Sequence, residues 1–109
     1  MSMRLVRDHD AGEIADARAA ATLALLMRWR DIRDAELAQL TGMSRTAIGA
    51  RRTGVTRMTA GDMAELARAL GTDPRVFLVG GDDDDVLRWA LDHQRTEWAA
   101  RDSNPEPTG

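Results

Sequence analysis

Arg45, Thr46, Gly49, Ala50, Arg51 and Arg52 are the run of this chain whose residue types and spacing suit chemistry. That chemistry is recognition rather than bond-making. A guanidinium can grip guanine through O6 and N7 together, and Thr and Ala methyls can touch the thymine methyl. Gly and Ala allow a close approach. Ser44, Thr53, Thr56 and Arg57 add hydroxyls and a further cation suited to phosphate oxygens, as does Arg33 upstream. Catalysis is poorly served. The chain has two His (His9 and His93), no Cys, no Tyr and no glycine-rich phosphate loop, so neither an enzyme nor a cofactor is expected. His9 between Asp8 and Asp10 is a poor metal ligand set. Asp82–Asp85 lacks the spaced ligands of a calcium loop and reads better as negative charge at a helix start.

The elements that must position these side chains lie between Asp34 and Gly54, which read as two short helices joined by a tight turn. Asp34 is the expected cap of the first, whose inward face is Leu37, Ala38 and Leu40. Gly42 suits the left-handed residue that ends it, and Met43 is the apolar plug of the turn. Ser44 is the expected cap of the second helix, 44–53, with Ala47 and Ile48 inward. The remaining faces carry the small and Arg-rich side chains. A helix so held has the shape and charge to enter a DNA major groove.

This stretch resembles the helix-turn-helix of the lambda-repressor and Cro-like (XRE-type) family, through Leu37-Ala38, Gly42-Met43-Ser44, Ile48 and the closing Gly54. The resemblance continues in Met63-Ala64, Leu66-Ala67 and Ala69-Leu70-Gly71-Thr72-Asp73, and spans residues 19–79. It implies an all-α fold: a five-helix lambda-repressor-like domain, here with an extended first helix and an additional C-terminal helix. It also implies that Arg45, Thr46 and Ala50 reach base edges and that the loop Val55–Met58 follows the sugar-phosphate backbone, making Arg57 a phosphate clamp. Two departures matter. Asp34 stands where the family often has a phosphate-binding Gln, so Arg33 is the expected substitute. Arg51 and Arg52 stand where an apolar residue and an acid are common, and both are expected to reach base or phosphate.

The chain of 109 residues carries a net charge of −3, which by itself argues mildly against nucleic acid. The distribution argues otherwise. Between Arg28 and Arg57 seven Arg face three acids, a local +4, whereas from Asp82 to Gly109 three Arg face eight acids, a local −5. A basic footprint on an acidic chain is what electrostatic docking on DNA requires. No signal peptide or membrane span is read, so a cytoplasmic protein is expected.

Residues 1–11 are expected to be a flexible arm in which Arg4 and Arg7 could touch DNA, and 12–79 the DNA-binding domain. Glu13–Arg30 reads as one long helix with Leu23, Leu26, Met27 and Trp29 on its apolar side, followed by Arg28, Arg30 and Arg33 as phosphate candidates near its end. Thr59 caps a helix over Ala60–Leu70 with Met63, Leu66, Ala67 and Leu70 inward. Asp73 and Pro74 open a short helix whose Val76, Phe77 and Leu78 close the core. A helix over 82–101 carries Leu87, Leu91, Gln94 and Trp98 on one stripe beside Trp89 and Ala90; it packs either on the first helix or on a second subunit. Residues 102–109 form a disordered tail. The resulting reading is a sequence-specific regulator, a repressor that binds double-stranded DNA as a homodimer, of a size that fits a phage immunity repressor or Cro-like switch. The alternatives are an antitoxin whose C-terminal segment holds a toxin, and a protein-interaction module without DNA binding, against which the basic helix counts.

Overall fold

The computed structural model describes the backbone of residues 2–94 and the side chains of residues 11–94. Arg4, Arg7, His9, Trp98 and the tail 102–109 therefore lie outside the described side chains. Five α-helices and one 3-10 turn follow in order, with no strand among the described residues: α1 (Ser2–Arg30), α2 (Asp34–Thr41), α3 (Arg45–Arg52), α4 (Ala60–Leu70), the turn Pro74–Leu78, and α5 (Asp83–Asp92). The helix α1 thus begins well before Glu13 and takes in most of the segment expected as an arm. No proline interrupts the run before Arg30, so nothing in the backbone forces a break there.

The core forms where the amphipathic faces converge. Leu23, Leu26, Leu37, Ile48, Leu66, Leu70 and Val76 have no exposed surface, and Phe77 almost none. Leu25, Ala69 and Val86 join them, beyond the residues that periodicity singles out. The inward faces expected of α2 and α4 are those observed, with Ala38, Leu40, Met43 and Met63 partly buried against the cluster. Burial of this apolar surface is the main favourable term, because eight-residue helices such as α2 and α3 have little stability of their own.

The helix ends follow local chemistry, with one exception. Gly42 and Gly71 close α2 and α4 at φ +82° and +76°, a region that L side chains adopt at a cost. The Thr59 hydroxyl accepts from the Asp62 amide at 3.0 Å, while the Asp62 carboxylate accepts from the Thr59 amide at 3.0 Å. Asp82 and Asp85 make the same reciprocal pair at the start of α5. The exception is α2. Arg33, not Asp34, occupies its cap position, the Glu36 carboxylate accepts the Arg33 amide at 3.1 Å, and Asp34 becomes the first helical residue. Its carboxylate is engaged elsewhere, as described below.

The C-terminal elements correct two expectations. Leu78 does not close the core: it is 70% exposed, while Val76 and Phe77 point inward. In α5 the buried residues are Val86 and Ala90, not the Leu87–Leu91 stripe, and Leu91 is 52% exposed. The helix packs on α1 and on the 3-10 turn and spans Asp83–Asp92, while residues 95–101 of the expected helix lie outside the described residues. Arg30, expected near phosphate, is instead a structural tie. Its Nε donates to the Leu70 carbonyl at 2.8 Å and its Nη2 to Gln94 Oε1 at 3.1 Å, which places a cation at the C-terminus of α4.

One buried group runs against the rest. The Thr72 hydroxyl is fully buried and has no hydrogen-bond partner. An unpaired buried hydroxyl costs about 1–3 kcal/mol, and Val has the same shape without it. Thr72→Val is therefore expected to stabilise the fold by about 1 kcal/mol in urea unfolding. Leu37→Ala, which empties a fully buried site between α2 and α3, is expected to destabilise it by about 2–5 kcal/mol.

Candidate nucleic-acid interface

The helix α3 is held at both ends and along one side. The Ser44 hydroxyl accepts from the Ala47 amide at 3.0 Å, as its type predicts. At the other end Gly54 adopts φ +84°, and the Thr53 hydroxyl donates back to the Gly49 carbonyl at 2.8 Å. Ile48 is fully buried and faces α1 and α2. With that side inward, Arg45, Thr46 and Thr53 are exposed, and Gly49 and Ala50 are half-buried between them. The outward face of α3 is thus a strip of small and methyl-bearing groups with one long cation at its start. The loop after it folds back, with the Thr56 amide donating to the Ala50 carbonyl at 3.0 Å. Met58 is buried and anchors the loop, leaving Val55, Thr56 and Arg57 exposed.

The two arginines at the end of α3 are not the open cations that the sequence suggests. Arg51 turns inward: its Nε meets Asp62 Oδ2 at 2.9 Å and its Nη1 donates to the Ala47 carbonyl at 3.1 Å. Only 20% of the Arg51 side chain and 14% of Asp62 are exposed. This pair ties α3 to the start of α4. Arg52 turns to α2, where Nε donates to Asp34 Oδ1 at 2.8 Å and Nη2 to Oδ2 at 2.9 Å. That is a two-point fork, the strongest geometry an Arg–carboxylate pair adopts. The two departures from the family pattern therefore answer one another: the acid at position 34 and the cation at position 52 form one contact between α2 and α3.

Charge states follow the geometry. The Arg52 fork holds the Asp34 carboxyl below the usual carboxylate range, and Arg45 adds to this from nearby. For Asp62, partial burial works against the charged form. The Thr59 amide and Arg51 outweigh it, and the net direction is again downward. Asp34 and Asp62 thus belong to the site although the local pattern does not single them out as such; the one available signal is that an acid at 34 and a cation at 52 depart from the pattern together.

Among the described residues Arg28, Arg33, Arg45 and Arg57 form no ion pair. Arg28, Arg33 and Arg45 line a cleft between the end of α1 and the starts of α2 and α3, together with Arg52 and Asp34, and Met27 and Ile32 also line it. Arg57 belongs to a different groove, between the loop and the Glu13–Ala21 part of α1. The structure therefore brings Arg33, Ser44, Arg45 and Thr46 to one end of α3 and Thr53, Thr56 and Arg57 to the other, with Gly49 and Ala50 between. An arrangement of this kind can present base-reading groups in the middle and phosphate-binding groups at each flank. Among the described residues no helix is long and apolar enough to cross a membrane.

Comparison with protein families matches residues 23–77 to a model described as helix-turn-helix. No curated protein and no solved structure matches the chain.

The Asp62 pair makes stability depend on pH. A carboxylate whose folded-state pKa is depressed stabilises the fold above its unfolded value of about 4, and that contribution disappears as pH falls through the lower folded value. The melting temperature of Asp62→Asn should therefore lie furthest below that of the unmodified chain near pH 7. The gap should close as the pH is lowered from about 5 to about 2. A gap that stays constant over this range would show that the charge of Asp62 does not matter to folding.

Proposed function

The chain belongs to the lambda-repressor-like (XRE-type) helix-turn-helix family, and on that footing we propose that it is a sequence-specific transcriptional regulator, a cytoplasmic repressor that reads the major groove with α3. The family is one of DNA-binding regulators and is typically non-enzymatic. The observation that carries the reading is the outward face of α3: Arg45, Thr46, Gly49 and Ala50 on a helix clamped by Ile48 and capped by Ser44. Arg45 takes guanine O6 and N7, and the Thr46 and Ala50 methyls meet thymine methyls. Ser44 and Arg33 take phosphate at the start of the helix, and Thr53, Thr56 and Arg57 take it at the end. Arg51 serves by fixing the helix axis rather than by touching DNA.

The operator is a short palindrome bound by two copies. A two-fold pair of recognition helices requires half-sites about 34 Å apart, one turn of the duplex. A second reading is the antitoxin of a toxin–antitoxin pair, which also binds its own upstream DNA. What favours keeping it is the exposure of two leucines, Leu78 ahead of α5 and Leu91 near its end, around a helix with an acidic start. Coexpression with the product of the neighbouring gene separates the two, because an antitoxin copurifies with that product at fixed stoichiometry and a stand-alone repressor does not.

Fluorescence anisotropy against DNA from upstream of the gene, with random duplex as control, tests the main reading. The upstream DNA should bind at least ~10³-fold more tightly, with an affinity that falls steeply with salt. Equal, weak binding to both would remove it. Arg45→Ala should cost about 1–3 kcal/mol on the upstream site and relax preference at one base pair. Arg57→Ala should weaken all sequences alike and lower the salt slope by about one. Equal losses on cognate and random DNA after Arg45→Ala would take base readout away from that residue.

A further inference from the structure

We propose that Asp34 holds Arg52 off the DNA backbone and so lowers the sequence-independent part of the affinity for DNA. The inference rests on the reading of α3 as the helix that enters the groove. Its basis is the position of the Asp34 carboxylate. It is the first residue of α2, it lies in the cleft lined by Arg28, Arg33 and Arg45, and its two oxygens are both taken by Arg52. A Cβ placed on Gly49 would lie 3.5 Å from Asp34 Oδ2, so the carboxylate sits against the flank of α3, beside the strip that reads bases.

Two consequences follow from that position. A phosphate entering the cleft meets the Asp34 carboxylate, with Asp31 also on the wall, at the place where the starts of α2 and α3 and the arginines Arg28, Arg33 and Arg45 would otherwise attract it. The Arg52 fork, with Nε and Nη2 already committed, adds no net charge to the footprint. Phosphate contacts are the part of DNA affinity shared by every sequence, and base contacts are the part that discriminates. Removing one cation from the shared part leaves the contribution of Arg45 and Thr46 intact. The affinity for every sequence is therefore lower with Asp34 than without it, and discrimination is left to the base contacts.

The test compares the full chain with Asp34→Asn and Arg52→Gln on random and upstream duplexes across a salt series, with thermal melting as a check on folding. Asp34→Asn should bind random duplex about five- to tenfold more tightly, because the released guanidinium gains a phosphate. The plot of log affinity against log salt should steepen by about 0.9, the value for one additional contact. The upstream duplex should gain by the same factor as the random one. Arg52→Gln should leave the slope on random duplex unchanged, because Arg52 makes no phosphate contact while Asp34 holds it. The proposal is overturned if Asp34→Asn gains neither affinity nor slope, or if Arg52→Gln lowers the slope by about one. Failure of the underlying reading looks different: neither the full chain nor Asp34→Asn would then bind either duplex at low salt.

Discussion

Everything proposed for this protein depends on keeping an eight-residue helix in one orientation. A helix of that length does not persist alone in water, because nucleation is costly and few hydrogen bonds repay it. The side chain that makes α3 possible is Ile48, fully buried against α1 and α2. Its burial removes one side of α3 from solvent and thereby determines which residues face out. Leu37, on α2, is fully buried in the same core. The turn between the two helices leaves little slack, since Gly42 ends one and Ser44 begins the other with only Met43 between them.

A single apolar anchor sets position but restrains rotation weakly. The two ion pairs restrain it from opposite sides. Arg51 reaches Asp62 at the start of α4, and Arg52 reaches Asp34 at the start of α2. Partly exposed pairs contribute modestly to stability, so their role here is geometric. Each acid also sits in the first turn of its helix, where negative charge is favoured by the helix dipole. The same carboxylates thus steady two helix starts and steer the end of a third. The arrangement also divides the basic charge of the chain. Within α3, Arg51 and Arg52 are engaged inside the domain, whereas Arg45 at its start forms no ion pair among the described residues.

Most of the local architecture was legible in the residues. Ser44, Thr59 and Asp73 cap the elements expected of them, because a short polar side chain before an apolar repeat satisfies free amides by local geometry alone. The buried faces of α2 and α4 followed from helical spacing. The misreadings share one cause. The local pattern makes Asp34 a cap, Arg51 and Arg52 open cations and Arg30 a phosphate ligand, and for these four the outcome is decided by a partner distant in the chain. Asp34 lies 18 residues from Arg52, and Arg30 lies 40 from Leu70.

The sequence by itself determined that this is an all-helical domain with a helix-turn-helix at its centre, and that Arg45, Thr46, Gly49 and Ala50 occupy its second helix. Caps, glycine stops and apolar periodicity act over three or four residues, and they write themselves into the local pattern. Only the tertiary structure decided which arginines remain available to a ligand. A guanidinium on a long flexible stem can turn to solvent or to any carboxylate within reach, and that choice depends on how α2, α3 and α4 are packed together rather than on the residues beside it.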